Sequence, residues 1–482
     1  MTIIEKKRGE DPEWYNELLL KAEIYDDRYP VKGCGVWLPY GLAIMENIFR
    51  ELEKMLEEDG HQKVLLPLLI PEDILAVESE HIKGFEEEVF WITQGGNEQL
   101  ERRLALRPTS EVILYYMFRS WLRSYKDLPV KLYQRAEVFR YETKATRPLL
   151  RVRQVYWNEA HCVHLTEEEC MHQVMKAIEF YEKLFREICA LENLLVVERP
   201  AWDRFAGAER TFALDCYIEL TGRTVQVGTS HHLGQKFTKA FGVRVKLPDG
   251  SEAWPYSNSY GISCRVLGAL ILTHSDDVGL ILPPRIAPVK AVVVPILYKG
   301  KEEEILEYAK EVVGQLQELL GSAVLDTREE RPGWKFYYWE MKGVPLRAEV
   351  GPKDLENRTV TLVRRDTREK LCVKFEELGK AKDILEDIQR NLRERSKKML
   401  ENAIKLARTM EELEKILAEK KVALVPFCST NLEGKECAEK IKQQLAAEVL
   451  GVDLRNQKSA AGKRCIVCGK PATVWVYVAK KY

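Results

Sequence analysis

The residues best suited to chemistry lie in two runs that are rich in β-branched and aromatic side chains. Arg140 and Glu142 stand two positions apart in the first run, and Trp157, Glu159 and His161 keep that spacing in the second. Because side chains alternate along a β-strand, each set would share one face. A hairpin of the two strands would present fixed cations and a carboxylate to one ligand. The alternative is an exposed, ion-paired hairpin, and this pattern alone does not decide between them.

A hydroxyl and a carboxylate stand close together in a third segment. Pro108 favours extended backbone around it, so Thr109 and Glu111 would project on the same side. Side by side, they could bind an ammonium or imino nitrogen through charge-assisted hydrogen bonds. The alternative is a helix cap, in which Thr109 or Ser110 starts a helix through residues 112–115. The two roles are compatible with each other.

Two further segments suggest contact with a ligand. His231 and His232 are adjacent, but neighbours on a strand point to opposite faces and chelate a metal poorly, so a substrate role is favoured. Small residues at 228–230 would let a ligand approach the backbone. Arg265 follows a glycine-bearing turn and starts an apolar helix, a combination that favours a phosphate. The alternative is an arginine that snorkels from a buried helix.

Taken in order, these segments resemble the signature motifs of the class II aminoacyl-tRNA synthetases. Residues 60–70 resemble motif 1, although a run with Pro67 among apolar residues is by itself more typical of an ordinary edge strand. Residues 139–161 resemble motif 2. Residues 258–268 resemble motif 3 in part, because they contain fewer glycines than the class pattern.

Two segments are similar to those of one family within the class, the prolyl-tRNA synthetases. They are residues 106–111 and 226–234. The archaeal and eukaryotic-type branch is the closer match, because no large editing insertion separates motifs 2 and 3. The resemblance implies a multidomain α+β and α/β protein: an antiparallel-sheet catalytic domain, an α/β anticodon-binding domain and a C-terminal zinc-bearing α/β module.

The resemblance also implies roles for individual residues. Arg140 would stabilise charge that develops on the α-phosphate of ATP as the amino-acid carboxylate attacks, Glu142 would read the adenine amino group, and Arg265 would pin the γ-phosphate. The implied catalytic residues are Arg140 and Arg265. The implied ATP contacts are Arg140, Glu142, Arg151, Val152, Gln226, Thr229, Ser263 and Arg265. The implied proline contacts are Thr109, Glu111, Arg140, Trp157, Glu159, His161, Phe205 and His231.

The implied reaction is ligation of L-proline to tRNA(Pro) by a homodimer, through prolyl-adenylate, with Mg²⁺ accompanying ATP. A pocket sized for proline cannot exclude smaller amino acids by more than a few kcal/mol, so some misactivation of alanine or cysteine is expected. One competing interpretation is a threonyl or glycyl enzyme, which residues 106–111 and 226–234 argue against. Another is a non-catalytic RNA-binding paralogue, which has no need of Arg140, Glu142 and Arg265 together.

Composition limits which partners the protein can bind and in which cellular compartment it can be located. Among 482 residues, 74 Lys plus Arg balance 75 Asp plus Glu, so RNA binding must depend on local patches. The N-terminus has no apolar core of signal-peptide length, and no apolar run is long enough to cross a bilayer. These features predict a cytosolic (cytoplasmic) protein with no membrane partner.

Helix and strand patterns predict three domains. Residues 1–285 form the catalytic domain, in which helices flank an antiparallel sheet and a proline-rich stretch marks the end. Residues 286–380 form the anticodon-binding domain, with an amphipathic helix over 302–320. Residues 381–482 form a zinc-binding domain that begins with a long polar helix at 381–407.

The anticodon-binding domain is identified by resemblance. Residues 286–375 resemble the domain shared by prolyl, threonyl, histidyl and glycyl enzymes. Polar side chains near aromatic residues suit unstacked anticodon bases, and the candidate contacts are Glu340, Arg347 and Lys353. A solvated polar face is the alternative.

Eleven cysteines are present, and four of them are spaced like metal ligands. Cys465 and Cys468 have the spacing of a structural zinc knuckle, while Cys428 and Cys437 form a looser pair. In a cytosolic protein, four such thiols indicate zinc rather than disulfides. The other seven are predicted to be reduced core thiols. By resemblance, Tyr482 would dock near the active site.

Overall fold

The computed structural model describes residues 4–77 and 88–482, and its first half is built on one large sheet. The helices of this half are α1 (Trp14–Lys21), α2 (Pro39–Glu58), α3 (Glu72–Leu75), α4 (Glu111–Trp121), α5 (Glu167–Lys183), α6 (Lys236–Ala240) and α7 (Arg265–His274). Its strands are β1 (Tyr25–Val31), β2 (Cys34–Trp37), β3 (Gln62–Lys63), β4 (Leu69–Pro71), β5 (Phe90–Gly95), β6 (Glu98–Leu106), β7 (Val130–Phe139), β8 (Gln154–His164), β9 (Leu194–Glu198), β10 (Arg210–Ile218), β11 (Arg223–Gly234), β12 (Val245–Lys246), β13 (Glu252–Ala253) and β14 (Tyr256–Ser263).

The large sheet confirms the antiparallel architecture expected for the catalytic domain. Its strands lie in the order β9-β10-β11-β14-β8-β7-β3, and every pairing in this series is antiparallel except that of β3 with β7. Helices α2, α5 and α7 share one apolar core with the sheet, represented by Ile48, Ile178 and Leu270. Thr166 and Glu169 have the spacing from which the sequence predicts a capping box, and this cap is present at the start of α5, where Thr166 Oγ1 accepts the Glu169 N–H at 3.2 Å.

The segment that resembles motif 1 is not one edge strand. Residues 60–70 supply the two-residue β3, at the edge of the large sheet, and the start of β4 in a separate sheet. Between them, Arg107 Nη1 donates to the carbonyls of Leu66 and Pro67 at 2.8 and 3.2 Å. A side chain therefore binds main-chain groups that a longer strand would pair in a ladder.

The middle of the chain is a small α/β unit. Its helices are α8 (Glu302–Leu320), α9 (Pro332–Met341) and α10 (Pro352–Asn357), and its strands are β15 (Ala291–Pro295), β16 (Ala323–Leu325), β17 (Leu346–Val350), β18 (Thr359–Arg364) and β19 (Lys370–Lys374). The strands lie in the order β16-β15-β17-β18-β19. Helix α8 has the predicted bounds, because Gly321 adopts φ 75° and ends it.

The C-terminal part extends the large sheet. It contains α11 (Lys380–Ala403), α12 (Met410–Ala418), α13 (Lys435–Leu445), β20 (Ile404–Leu406), β21 (Val422–Phe427), β22 (Glu448–Asp453) and β23 (Val474–Lys481). The predicted polar helix is too long, because Ile404 already belongs to β20, which pairs with β21. Strand β22 pairs with β9, so the sheet becomes continuous across both parts.

In the described ranges, no helix combines the length and the apolar character needed to span a membrane. The three domain boundaries and the cytosolic location stay predictions.

Candidate active site

A pocket of about 320 Å³ opens over β8, β14 and β11. The three strands are in register: His161 on β8 lies opposite Ser259 on β14, and Ser259 lies opposite His231 on β11. Because alternate side chains share one face of a sheet, Trp157 and Glu159 reach the same pocket as His161. The structure brings all of the predicted ATP and proline contacts together around this cavity.

Arg140 and Glu142 lie just beyond β7, so the prediction that they sit on the strand is wrong. The strand ends at Phe139, and the Arg140 N–H donates to the Arg153 carbonyl at 2.9 Å. The chain then turns, because the Glu142 N–H donates back to the Arg140 carbonyl at 2.8 Å. Both side chains line the pocket in spite of this turn.

One end of the pocket, here called the carboxylate end, contains Thr109, Glu111, Glu159, His161 and His231. Thr109 Oγ1 donates to a carboxylate oxygen of Glu111. His161 Nε2 bonds Glu159 Oε2 at 2.9 Å, while its Nδ1 lies 3.9 Å from Glu111 Oε1. All five residues are buried, so fixed neighbours set the position of both carboxylates.

Two residues behind this end were missed by the sequence analysis. Ser110 precedes α4, but its side chain makes no capping bond, so the capping role predicted for it is wrong. Instead Ser110 Oγ donates to Glu159, and Gln134 Nε2 donates to Ser110 Oγ at 2.9 Å. Gln134 also donates to Glu159 and accepts the Leu66 N–H at 3.1 Å. A lone serine and a strand glutamine carry no sequence signal for such a role.

The two histidines of the carboxylate end have opposite protonation tendencies. Burial lowers the pKa of His231 to about 4, so this ring is neutral near pH 7. Burial also acts to lower the pKa of His161, but the carboxylates of Glu159 and Glu111 outweigh it and raise the pKa. A proton on His161 therefore offsets part of the negative charge of the two carboxylates.

Aromatic rings supply apolar walls. Phe205 stacks on His231 with ring centroids 4.5 Å apart and planes inclined by 26°. Thr211 holds this pair, because its Oγ1 accepts the Phe205 N–H at 3.0 Å and lies 3.1 Å from His231 Nδ1. Trp157 lines the pocket beside the Arg140 guanidinium, which lies 5.6 Å from the centre of the ring.

The other end, here called the arginine end, contains Arg140, Arg151 and Arg265. Main-chain carbonyls orient two of them: Arg140 Nε donates to Pro108 at 3.1 Å, and Arg265 Nε donates to Leu150 at 2.9 Å. Burial lowers the pKa of both Arg140 and Arg265. The carboxylates of Glu88, Glu111 and Glu159 oppose this effect for Arg140, whereas the charge of Arg140 lowers the pKa of Arg265 further. Neighbouring half-buried cations of this kind favour an anionic ligand.

Arg151 is oriented by contacts with two other parts of the chain. Its Nη2 donates to the main-chain oxygen of Tyr482 at 2.7 Å, and its Nη1 lies 3.5 Å from Glu142 Oε2. The Tyr482 ring is 5.4 Å from the Arg147 guanidinium, and its hydroxyl bonds Thr221 at 2.9 Å. The end of the C-terminal strand thus lies against the arginine end of the pocket.

A β-bulge explains how Gln226 and Thr229, which are three positions apart, both line the pocket. Asp215 pairs with Gln226, and Leu214 pairs with Gly228, so Val227 is the extra residue of β11. Simple alternation would place Gln226 and Thr229 on opposite faces of the sheet. The extra residue brings both side chains to the same face. Two more predicted ATP contacts, Val152 and Ser263, line the same pocket.

Four buried polar atoms in the pocket wall have no hydrogen-bond partner in the part of the chain that the structure describes. They are Trp157 Nε1, His161 Nδ1, Arg204 Nε and Ser259 Oγ. Buried polar groups are nearly always bonded, so these atoms are candidate contacts for a ligand or an ordered water. Ser259 was missed by the sequence analysis because its strand neighbours are also small and polar.

The structure brings together two of the three predicted anticodon contacts. Arg347 Nη1 donates to Glu340 Oε1 at 2.6 Å, and both line a small cavity with Trp339 and Arg365. Lys353 is exposed on α10 and does not line this cavity. Its role is therefore separate from that of the Glu340 and Arg347 pair.

The four cysteines predicted to bind metal come together. The Sγ atoms of Cys428, Cys437, Cys465 and Cys468 all lie within 4.8 Å of one another, an arrangement that could hold a metal ion. Of the other seven, Cys372 is exposed and Cys34 is half-buried, so the prediction of core thiols is wrong for these two. The buried ones are Cys162, Cys170, Cys189, Cys216 and Cys264.

Three sequence-family models match the chain in succession. Residues 90–274 match a tRNA synthetase class II core domain (G, H, P, S and T), and residues 290–386 match an anticodon binding domain. Residues 410–482 match a prolyl-tRNA synthetase C-terminal domain. With the antiparallel sheet and its pocket, these matches define a class II aminoacyl-tRNA synthetase.

Whole-chain relatives narrow the class to one family. Proline–tRNA ligase from Metallosphaera sedula is 47% identical, with 99% of each chain covered, and that from Pyrococcus horikoshii is 44% identical over both full chains. The structure of Giardia lamblia prolyl-tRNA synthetase in complex with prolyl-adenylate matches with a TM-score of 0.95 at 36% identity, over 100% of both chains. The chain therefore belongs to the prolyl-tRNA synthetases, as its sequence predicts.

Proposed function

We propose that this protein ligates L-proline to the 3′ end of tRNA(Pro) through prolyl-adenylate. The observation that carries the proposal is one pocket with a carboxylate end, suited to an imino cation, and an arginine end, suited to a polyphosphate. A carboxylate oxygen of proline attacks the α-phosphorus of ATP, which enters as its Mg²⁺ complex, and pyrophosphate leaves. The substrate supplies the nucleophile, so the side chains act by position and electrostatics.

At the carboxylate end, Glu111 and Thr109 bind the imino nitrogen of proline. Glu111 offers a charged acceptor, and its bond to Thr109 fixes the direction of that acceptor. Glu159 and His161 shape this end, and the carboxylates of Glu159 and Glu111 raise the pKa of His161. The imino group thus meets an acceptor that is already oriented.

The ring of proline needs an apolar surface rather than a polar partner. Trp157 and Phe205 supply such walls, and His231 supports Phe205 through the stacked contact. Neutral His231 contacts the amino acid without adding a charge. These aromatic walls suit an apolar five-membered ring.

At the arginine end, Arg140 stabilises charge on the α-phosphate as the new bond forms. Arg265 and Arg151 both bind the γ-phosphate, which is the terminal phosphate of ATP. Glu142 accepts from the adenine amino group, and the backbone at Val152 faces the adenine ring. The remaining ATP contacts are Gln226, Thr229 and Ser263.

Amino-acid-dependent ATP–pyrophosphate exchange tests the proposal. Purified protein with Mg²⁺ should exchange strongly with proline and weakly or not at all with threonine and glycine. Strong exchange with threonine or glycine would assign the chain a different amino acid. Absence of exchange with every amino acid, in folded protein, would instead favour an RNA-binding role without catalysis.

The size of the proline site leads to a further expectation for specificity. Alanine and cysteine are smaller than proline, and a pocket excludes a smaller ligand only by the contacts that it loses, worth a few kcal/mol. Measurable AMP formation is therefore expected with each. Complete absence of AMP with both amino acids would contradict the argument from pocket size.

For the anticodon of tRNA(Pro), we propose Glu340 and Arg347 as joint contacts and Lys353 as a separate one. The first two are supported by their hydrogen bond and their shared cavity. Substituting either with Ala should raise the KM for tRNA in aminoacylation and leave pyrophosphate exchange unchanged. An equal loss in both assays would indicate a structural defect instead.

We propose that the four clustered cysteines bind one structural Zn²⁺. Thiolates at about 2.3 Å from a tetrahedral zinc lie about 3.8 Å apart, and the Sγ atoms of Cys428 and Cys437 are 3.7 Å apart. Metal analysis should find one zinc per chain. Replacing Cys465 with Ser should remove the zinc and lower the Tm, whereas replacing the exposed Cys372 with Ser should change neither.

We also propose a homodimer in which the motif 1 segment lies at the interface. Leu65, Leu68 and Leu69 are exposed there, and Leu65 is 82% accessible, which is unusual for such apolar side chains in one short segment. Sedimentation should show a dimer that Leu65→Asp weakens. Replacing the exposed Leu432 with Asp provides a matched control far along the chain.

A further inference from the structure

Beside β10 and β11 lies another buried cation, Arg199, that is not among the side chains lining the pocket. Its N–H donates to the Thr211 carbonyl at 2.8 Å, and its Nε lies 3.7 Å from Asp203 Oδ2. Its Nη2 donates to Asp215 Oδ1 at 2.7 Å and to Gln226 Oε1 at 2.9 Å. Its Nη1 donates to the Leu450 carbonyl at 2.8 Å. Three acceptors from three strands thus surround one guanidinium.

A guanidinium has only donors, so it fixes which side of an amide faces it. The Gln226 oxygen must point at Arg199, and the Gln226 NH₂ group is then left for the pocket. We propose that Arg199 is a positioning residue that orients Gln226 as a hydrogen-bond donor to an acceptor oxygen of the nucleotide. This inference rests on the proposed function.

Geometry along β11 shows why the nucleotide, rather than the amino acid, is the partner. Gln226 and His231 pair with Asp215 and Thr211, which are four residues apart on β10, because Val227 is the bulged residue. At about 3.3 Å per residue, the main-chain separation is about 13 Å, which is longer than a proline molecule. On the neighbouring β14, Ile262 pairs with Gly228, which brings the Gln226 side of the strand toward Arg265.

The groups around Arg199 hold its guanidinium against the Gln226 oxygen. Asp215 lies directly opposite Gln226 across the β10–β11 pair, because of the bulge at Val227. Its carboxylate compensates the buried charge, which would be costly to leave unpaired. Burial acts to lower the pKa of Arg199, but Asp215 outweighs it and raises the pKa, so the donor state is fixed at any working pH.

Leu450 adds a link to the C-terminal part of the chain. It lies on β22, the strand that joins that part to β9 of the catalytic sheet. Its carbonyl accepts a hydrogen bond from Arg199 Nη1. This bond helps to keep the guanidinium turned toward Gln226. The C-terminal part therefore helps to orient a nucleotide contact without reaching the pocket itself.

Steady-state pyrophosphate exchange with Arg199→Met, Gln226→Ala and the double variant tests the inference. Each single variant should raise the KM for ATP about tenfold, the effect of losing one hydrogen bond of about 1.4 kcal/mol. The KM for proline should change less than about twofold. In the double variant, Arg199→Met should add almost nothing to Gln226→Ala, because Arg199 acts through Gln226.

Two further variants keep the test decisive. Gln226→Glu retains Arg199 and can pair with it, but has no NH₂ group to donate, so its KM for ATP should rise as in Gln226→Ala with an unchanged Tm. Arg210→Met removes an exposed arginine that bonds Glu198 in the same sheet, and should behave as wild type. If Arg199→Met fails to fold, Gln226→Glu carries the test.

Three results would overturn the inference: additive effects in the double variant, equal changes in the KM values for ATP and proline, or a wild-type KM for ATP in Gln226→Glu. Failure of the proposed function is distinguishable, because wild-type protein would then show no proline-dependent exchange. In that case, calorimetric titration with ATP still compares Gln226→Glu with wild type, and equal affinities would overturn the inference.

Discussion

At the carboxylate end of the pocket side chains hold one another, whereas at the arginine end main-chain carbonyls hold the side chains. Thr109 bonds Glu111, and His161 bonds Glu159, so hydrogen bonds between side chains link the groups of that end. Arg140 and Arg265 instead donate to carbonyls, which fix direction but neutralise little charge. Burial lowers the pKa of both arginines, and carboxylates of Glu88, Glu111 and Glu159 oppose that effect for Arg140.

This difference matches the two ligands that we propose. A small zwitterion such as proline gains affinity from a site that is already ordered, because little entropy is lost on binding. A triphosphate carries several negative charges, which can pair with the arginines of the arginine end. Variants at the two ends should therefore change different kinetic constants of pyrophosphate exchange.

The largest effect is expected at the arginine end, from Arg265→Ala. Negative charge also develops on the pyrophosphate as it leaves, and Arg265 donates to its γ-phosphate. Removing one oriented donor from a developing charge typically costs about 10²–10³-fold in rate. The kcat for pyrophosphate exchange should fall by about that factor, while the KM for proline stays within about twofold.

The matched control is Arg210→Ala, since Arg210 is an exposed arginine on the same sheet that bonds only Glu198 and Met171 among the described side chains. It should retain wild-type kcat. If Arg265→Ala raised the KM for proline as much as it lowered kcat, the two ends would not be functionally separate.

The next effect is expected at the carboxylate end, from Glu111→Gln. The variant keeps the shape of the side chain but loses its charge, so a charge-assisted bond to the imino group, worth about 1.5–3 kcal/mol, is weakened. The KM for proline should rise about 10–100-fold, with the KM for ATP unchanged.

Glu252→Gln is a suitable control, because Glu252 is exposed and bonds Arg244 away from the pocket. A rise in the KM for ATP with Glu111→Gln would show that the carboxylate end also organises the nucleotide, which contradicts the comparison.

Local sequence signals predicted much of the fold. The capping box of Thr166 and Glu169 marks the start of α5, and the pattern over 302–320 marks α8 to the residue. Both depend on neighbours three or four positions apart in the chain. The predicted α11 failed at its end because Ile404 pairs with β21, a contact that no local pattern contains.

The sequence predicted which residues line the pocket, but not which residues hold those side chains in place. Every ATP and proline candidate lines the pocket, and all of them except Phe205 belong to runs that resemble motifs of the class or of the family. Gln134, Ser110 and Arg199 escaped detection because their partners are remote: Arg199 bonds Leu450, which lies 251 positions away. Arg140 was placed on a strand because a turn after Phe139 has no glycine or proline to mark it.

A smaller effect is expected from the apolar wall, through Phe205→Ala. The ring stacks on His231 and would contact the ring of proline. Losing that contact should lower kcat/KM for proline about tenfold, within the range of about 1–3 kcal/mol for one apolar group. Alanine, which has no ring to pack there, should lose less than about twofold.

Competition between proline and alanine in AMP formation measures the change directly. The ratio of their kcat/KM values should shift toward alanine in Phe205→Ala, while the KM for ATP stays constant. Phe205→Leu serves as the conservative control and should recover most of the ratio. An equal loss with both amino acids would mean that Phe205 supports the fold rather than the proline ring.

The smallest effect is expected in the pH dependence of stability at the carboxylate end. The pKa of His161 is raised in the folded protein because the charges of Glu159 and Glu111 outweigh burial. A group with a raised folded pKa stabilises fully below its unfolded pKa of about 6.5 and loses that contribution as pH rises through the higher folded value. The Tm of wild type should therefore fall relative to His161→Gln, by an amount on the order of 1 °C, as pH rises from about 6 through the raised pKa.

The arginine end provides the contrast for this measurement. Arginine keeps its charge across this range, so the Tm difference between wild type and Arg265→Gln should not depend on pH. A constant difference for His161→Gln would mean that His161 does not gain its proton from the two carboxylates, and the charge balance of that end would have to come from another group. A slope for both variants would place a titrating group at the arginine end, and the electrostatic distinction between the two ends would be lost.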